Sequence, residues 1–395
     1  MIKILSVVVF LSSGIFAQNL LNKPLGFDEF LNNALKNSPY LKSHDLSIKQ
    51  ASLQGEILTR YENPSLELEY SEFSPDIGLG ESGYRVALAQ PLRLWGVGSD
   101  KERLALSTEN KAQANYLLSR AQLVQEISLL FTKYAQQHAL YTLAKEELDI
   151  ALRIYEISQA RFQAGTISQG VMLQAKVDYE MIDIDLDALK LSFNEQYFKL
   201  LEVAGYGKKI ELSHNYIFRV KETTSTSNPD LKLINAAKEK ALSTASVNSN
   251  KIEFIELLGE FESEPDQDIF RVGISVPLAL FNTKKEETQI AKLEAGKTEF
   301  NAKRESDKIT LTTVKLKEER ALLQKLKVKN SATLKTQEKL LKMFEDSYKI
   351  ANVNLLELQS VKNRVIKTKE SLIKIKSALD SNAIKTNYIA GVYNE

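Results

Sequence analysis

Five carboxylates crowd one short stretch of this chain: Asp178, Glu180, Asp183, Asp185 and Asp187. Such a run could line a passage and draw cations toward it, a role assigned to Asp178, Asp183 and Asp185. The blander outcome, and the commoner one for such runs, is a solvated helix face. Three histidines, His44, His138 and His214, lie far apart in sequence, and the chain has no cysteine and four methionines. That is no metal-ligand spacing, so the histidines read as isolated structural or surface residues. No metal site and no cofactor is expected. No glycine-rich phosphate loop is present, so any energy for work must come from a partner. No nucleophile stands in a pattern with a base, which leaves no case for an enzyme.

The elements that carry these residues belong to an unusual chain. It has 395 residues with 52 basic and 51 acidic side chains, a net charge of +1. That balance carries no nucleic-acid footprint. Glycine (16) and proline (8) are scarce, which favours long uninterrupted elements. Without cysteine there are no disulfides and no lipidated N-terminal Cys. Met1-Ile2-Lys3 is a short basic start, Ile4 to Phe16 an apolar run, and Ala17 precedes Gln18-Asn19. Residues 1–17 therefore read as a secretory signal peptide with cleavage after Ala17. No later stretch reaches the ~18 apolar residues of a membrane-spanning helix. The expectation is an exported, unlipidated protein.

The chain is also written twice. Tyr84, Val86, Leu88, Pro91, Leu92, Leu94 and Trp95 recur 186 positions on as Phe270, Val272, Ile274, Pro277, Leu278, Leu280 and Phe281. Phe162 and Ile167 recur as Tyr348 and Val353, while Pro39 and Leu41 match Pro229 and Leu231 at an offset of 190. A unit this long is no solenoid repeat; it predicts two copies of one unit packed side by side. The first repeat is residues 18–205: a helix from Phe27 to Arg60 with a kink or junction at Pro39, strands near 63–72 and 83–94, a long helix near 98–164, a break at 165–168 and a helix at 169–204. An irregular linker follows at 206–228, with room for a short strand. The second repeat, 229–395, has a helix, strands near 251–262 and 269–281, a long helix near 284–350, a break at 351–354 and a helix at 355–390. Strand 251–262 has an ambiguous register, because Ile252 and Phe254 alternate against Ile255 and Leu257; a bulge is suspected there.

A helix from Ser99 to Ala164 would run ~100 Å at 1.5 Å per residue. Leu117, Ala121, Val124, Phe131 and Ala135 form one apolar row on it, and Leu123, Ile127, Leu130 and Tyr134 a second row ~100° around the axis. A two-stranded coiled coil needs a single seam; two seams suit a helix with a neighbour on each side. The strands are alternately apolar and polar, and their lengths match the ~9–11 residues of a transmembrane strand. Four strands cannot close a barrel, and closure is the only β solution in lipid. Copies of the chain must therefore pool their strands, three copies giving twelve. Trp95 and Phe281, where strand passes to helix, sit as membrane-interface aromatics should.

Four stretches, with a second copy of the strand end, now carry a resemblance: Ala34-Leu35-Lys36-Asn37-Ser38-Pro39-Tyr40-Leu41, Asn63-Pro64-Ser65-Leu66, Gln90-Pro91-Leu92, Arg161-Phe162-Gln163-Ala164-Gly165-Thr166-Ile167-Ser168, and Ser275-Val276-Pro277-Leu278-Ala279-Leu280-Phe281-Asn282. In their order and with the duplication, they resemble the TolC family of outer-membrane efflux ducts over essentially the whole mature chain. The first strand pair resembles the family's heavy-metal branch. The resemblance implies a mainly α fold with a small β part: long antiparallel helices forming an α-helical barrel in a homotrimer, and four transmembrane β-strands per chain contributing to a shared 12-stranded barrel in the outer-membrane lipid of a Gram-negative bacterium. It implies a periplasmic adaptor and an inner-membrane pump, of the RND type, docking at helical tips. Those tips map to Gly165, Thr166, Ile167 and Ser168, and to Ala351, Asn352, Val353 and Asn354. Ala351 stands where the family often has glycine, so the turn is expected either to be tighter or to rely on Asn352 for a left-handed residue. The family's acidic entrance constriction maps to Glu357, with Ser360 replacing a second acid and Val171 at the equivalent place in the first tip. Asp178, Asp183 and Asp185 would then face the lumen of the duct. The function implied is passive export of small solutes or metal cations. The alternatives are a duct for type I protein secretion and a periplasmic coiled-coil scaffold.

Overall fold

The computed structural model describes residues 24–73, 80–221, 228–350 and 352–394. Its elements, in order, are α1 (Phe27–Asn37), α2 (Pro39–Thr59), β1 (Ser65–Phe73), β2 (Glu81–Arg93), α3 (Val97–Gln163), α4 (Gln169–Val203), α5 (Pro229–Ser249), β3 (Phe254–Glu264), β4 (Gln267–Ser275), α6 (Lys285–Lys349) and α7 (Leu355–Ile389), with a 3₁₀ turn at Val392–Asn394. The signal-peptide reading at 1–17 lies outside the described residues. None of the described helices is long and apolar enough to cross a membrane.

The duplication is visible in how helices begin. Pro39 and Pro229 each occupy the first turn of a helix, where a missing N–H costs nothing. The residue before each proline is the cap: the Ser38 hydroxyl accepts from the Leu41 N–H at 3.3 Å, and the Asn228 side-chain Oδ1 from the N–H groups of Asp230 and Leu231. Pro39 is thus a junction between α1 and α2. Two compact units emerge, and α3, α6 and α7 contribute segments to both.

One unit holds Ile127–Arg219, Leu323–Ser381 and the described residues up to Asn37. Its aromatic core joins Phe27, Phe131 and Phe218, with ring centroids 4.7 Å and 4.8 Å from Phe27. The linker after α4 contributes one parallel β-bridge, Leu25 to Leu212. A second core gathers Ile154, Ala175, Leu341, Tyr348, Leu355, Leu358, Val361 and Val365.

The other unit holds Ser38–Glu126, Val220–Leu322 and the described residues from Asn382 on. It carries an antiparallel sheet of four strands in the order β1-β2-β3-β4. The suspected bulge is absent: β2 and β3 pair without a break from Tyr84 opposite Ser263 to Arg93 opposite Phe254. The strand begins at Phe254 and leaves Ile252 out; in the unbroken ladder Phe254 and Leu258 keep to the face of Glu260, opposite that of Ile255 and Leu257. The strand expected at 269–281 ends at Ser275, opposite Glu256. In that register Pro277 would face Phe254 without an N–H to give the ladder.

Both apolar rows of α3 are used. Ala121, Leu123 and Val124 are buried, as are Ile127, Leu130, Phe131 and Tyr134 further along.

Candidate functional site

The register gives the sheet two unlike faces. Leu68 pairs with Val86 and Tyr70 with Tyr84; Tyr84 pairs with Ser263 and Val86 with Phe261; Phe261 pairs with Phe270 and Leu257 with Ile274. Side chains directly opposite one another share a face. One face therefore collects Leu66, Leu68, Tyr70, Tyr84, Val86, Leu88, Leu257, Phe261, Phe270, Val272 and Ile274. It is left uncovered: Leu68 and Tyr70 are 70 % exposed and Phe270 is 74 % exposed. Each such side chain is worth about 1.5–3 kcal/mol on leaving water, so an uncovered face of this extent marks a surface that meets lipid or protein.

The opposite face is charged, and its signs alternate from strand to strand. Glu67 and Glu69 stand on β1, Arg85 on β2, Glu260 and Glu262 on β3, and Arg271 on β4. Arg85 reaches Glu67 at 3.2 Å, Glu69 at 3.0 Å and Glu260 at 3.5 Å. Arg271 contacts both Glu260 and Glu262. β1 and β4 are the edges of the sheet, so one open edge ends on acid and the other on base. Trp95 and Phe281 lie just past β2 and β4 and are 103 % and 99 % exposed.

The two helical turns lie in the other unit. Gly165 has φ +69°, the left-handed region that closes a helix. Its N–H donates to the Phe162 carbonyl at 2.9 Å, and the Thr166 N–H to the Arg161 carbonyl at 2.9 Å. Ser168 then caps α4. At the second turn Ala351 lies outside the described residues. The Asn352 N–H donates to the Ser347 carbonyl at 3.0 Å. Asn354 and Glu357 form a reciprocal cap: the Glu357 N–H donates to Asn354 Oδ1 at 2.9 Å, and the Asn354 N–H to Glu357 Oε2 at 3.3 Å. The acid mapped to the entrance constriction is therefore the third residue of a capping box.

The turns are tied together by residues that sequence reasoning passed over. Arg161 donates to the Tyr348 carbonyl at 3.0 Å, at the C-terminus of α6 where cations are favoured. Its guanidinium also lies 4.6 Å from the Tyr348 ring centroid. The Tyr348 hydroxyl meets Ser158 Oγ at 2.8 Å. Here the repeats diverge: Tyr348 is 1 % exposed, whereas Phe162, its counterpart, is 37 % exposed.

Of the acidic run, Asp183 and Asp185 are exposed. Asp178 is engaged within the fold: its Oδ2 lies 3.0 Å from Lys362 Nζ, a side chain 1 % exposed. Glu147 approaches the same ammonium at 3.5 Å. Burial raises the Glu147 carboxyl above its ordinary range, against the opposing pull of Lys362. The histidines are not isolated either. The rings of His138 and His214 stack with centroids 3.5 Å apart, and Tyr134 Oη meets His214 Nε2 at 2.8 Å. Burial, and then the charge of His138, lowers His214 to about 4. Burial lowers His138 too, with Lys145 adding to the effect. Among the described residues no three His, Asp or Glu side chains converge as a metal site.

Residues 30–205 match a family model described as "Outer membrane efflux protein". Comparison with curated proteins finds no match. Solved structures superpose over nearly the whole chain. The Campylobacter jejuni CmeC outer membrane channel has TM-score 0.74 at 14% identity, covering 98% of this chain and 94% of its own. The outer membrane protein VceC of Vibrio cholerae has TM-score 0.75 at 14% identity, covering 92% and 95%. The Neisseria gonorrhoeae MtrE outer membrane channel in its open state has TM-score 0.69 at 16% identity, covering 92% and 88%.

The chain has the fold of these outer-membrane channels. The channel fold accounts for what a lone soluble chain would not carry, an uncovered apolar sheet face with two unpaired edges. The alternating charges were readable from sequence as Glu67/Glu69, Arg85, Glu260/Glu262 and Arg271, once the strands were aligned. Lys362, Arg161 and Tyr348 carry no such signal, because each is an ordinary residue for a long amphipathic helix.

Proposed function

We propose that this protein is one subunit of a homotrimeric outer-membrane channel. It serves as the passive exit duct of a tripartite efflux system for small solutes or metal cations. The observation that carries the reading is the sheet: one apolar uncovered face, one charged face, and edges of opposite sign. Joined β4 to β1, successive copies would continue the alternation of acid and base around a closed ring. Closure would also remove both open edges, as lipid requires. Three copies of four strands make twelve, a number that leaves an interior wider than side chains fill. The match of residues 30–205 to the efflux family model supports export as the direction of transport.

In this reading the turns at 165–168 and 351–354 are where a periplasmic adaptor docks, and an inner-membrane pump of the RND type supplies the energy. Glu357 and the exposed Asp183 and Asp185 border the path, and Trp95 and Phe281 lie at the membrane interface. The test uses the absence of native cysteine. One cysteine is placed at Ser65 or Ser71 of β1 and one at Gly273 or Ser275 of β4. Oxidation in outer membranes is expected to give covalent species that stop at three chains, and the purified protein is expected to conduct in planar bilayers. A water-soluble monomer with neither property would end the proposal.

A further inference from the structure

In the unit that carries the sheet, α2, α3, α5 and α6 surround a cavity of about 500 Å³. Among the described residues, the only charged side chains lining it are Lys111 and Lys240. An adjoining cavity of about 460 Å³ shares both lysines. Neither lysine has an ion-pair partner among the described residues, whereas neighbouring Lys238 reaches Glu299 at 3.3 Å. The adjoining cavity also touches Glu287 and Glu294, but Glu294 is engaged with Lys297 at 3.3 Å. Burial destabilises the Lys240 ammonium, and the nearby charge of Lys111 adds to that. Two like charges beside a cavity free of carboxylates favour an anion between them.

The rest of the wall sets the kind of anion. Leu233, Ile234 and Ala237 line the same space as the lysines. Apolar walls with a few convergent polar groups are the usual form of an organic-ligand site. The volume exceeds what an inorganic anion needs. We infer that this cavity binds a single-chain amphiphilic anion, its carboxylate or sulfate between Lys111 and Lys240 and its hydrocarbon body along Leu233, Ile234 and Ala237. The cavity belongs to one chain, so the inference stands apart from the pore reading.

The test is a calorimetric titration of octanoate into the full-length protein in zwitterionic nanodiscs, with empty discs subtracted. Saturable binding is expected, weakened at least tenfold by Lys240→Gln and by Lys111→Gln. Lys238→Gln should leave it unchanged, and thermal melts should match the parent for all three variants. Octanol and inorganic phosphate should each bind at least tenfold more weakly than octanoate. Three results would overturn the inference: heat no greater than that of empty discs, unchanged affinity in both cavity variants, or octanol or phosphate binding as tightly as octanoate.

Discussion

Lys362 Nζ lies 3.0 Å from Asp178 Oδ2 in surroundings that leave the lysine side chain 1 % exposed. The pair joins α7 to α4, and Glu147 adds α3 at 3.5 Å. Removing one member of a buried ion pair typically costs about 3–5 kcal/mol, because the survivor stays desolvated. Lys362→Met is expected to cost roughly 3 kcal/mol, at the low end because both carboxylates are partly exposed. Asp178→Asn should cost less, since Glu147 still faces the ammonium. Combining Lys362→Met with Asp178→Asn and Glu147→Gln should recover most of the loss. Chemical denaturation followed by helical circular dichroism measures all three; a Lys362→Met protein as stable as the parent would show the pair to be idle.

The stacked histidines set a pH dependence with a definite sign. His214 titrates near 4 in the folded chain because burial, and then the charge of His138, opposes its protonation. Unfolded, it titrates near 6.5. Between those values the unfolded chain binds more protons, so stability falls as pH drops from about 6.5 toward 4 and levels off below. The full shift would correspond to ~3 kcal/mol at 1.36 kcal/mol per unit. The ring is half-buried, so roughly 1–2 kcal/mol is expected after solvent screening. His214→Phe should flatten that part of the stability curve, read as melting temperature against pH. An unchanged slope would assign the acid sensitivity to other groups.

These relationships differ in how far the sequence exposes them. Strand alternation from Tyr84 to Leu92 and the repeat at Phe270 to Ile274 were legible because a half-exposed strand must alternate. The helix junction at Pro39 was legible for a similar reason, a missing N–H. The end of β4 was not: Val276, Leu278 and Leu280 continue the pattern, while pairing with β3 stops at Ser275. Alternation reports which face a side chain would take and says nothing about whether a partner strand is there. Lys362 was hidden because α7 is rich in lysine, and burial is decided by what α3 and α4 bring to it. The His138–His214 stack was hidden because sequence separation does not report distance in a fold that lays a linker back on a helix.

The second turn offers a way to separate charge from structure at Glu357. Its carboxylate caps the N–H of Asn354 at 3.3 Å. Glutamine serves this capping position as well as glutamate. Glu357→Gln is therefore expected to keep stability within about 0.5 kcal/mol while removing one negative charge per chain. Glu357→Ala should lose about 1 kcal/mol as the reciprocal bond goes. If Glu357 borders the conducting path, both variants should lower cation preference in reversal-potential measurements. An unchanged reversal potential would leave Glu357 a helix cap only.

Adaptor docking is best tested at the first turn, where shape and contact can be varied apart. A Cβ at Gly165 would meet no atom within 4 Å, so the only penalty for Gly165→Ala is its φ of +69°. That penalty is about 1–2 kcal/mol, and the turn should reopen or shift. Ile167→Glu leaves the backbone alone and adds charge to the turn. Both are expected to reduce adaptor pull-down while the oligomer persists on native gels. Normal pull-down with both variants would refute the docking assignment.

The sheet gives the sharpest contrast, because its two faces should respond differently to one substitution. Val272 is 68 % exposed on the apolar face, and Ala87 stands on the charged face opposite Glu260. In a lipid-embedded barrel, arginine on the lipid side costs about 2–4 kcal/mol near the midplane, whereas lumen substitutions chiefly tune selectivity. Val272→Arg is therefore expected to lower the denaturant midpoint of the reconstituted protein or to block its assembly. Ala87→Arg should assemble normally, with its guanidinium beside Glu260, and shift reversal potential toward anions. If the apolar face instead packs on protein in water, both variants should remain soluble and neither should alter a conductance. Equal tolerance of arginine at Val272 and Ala87 in assembled, membrane-inserted protein would remove the two-faced sheet from the argument for a pore.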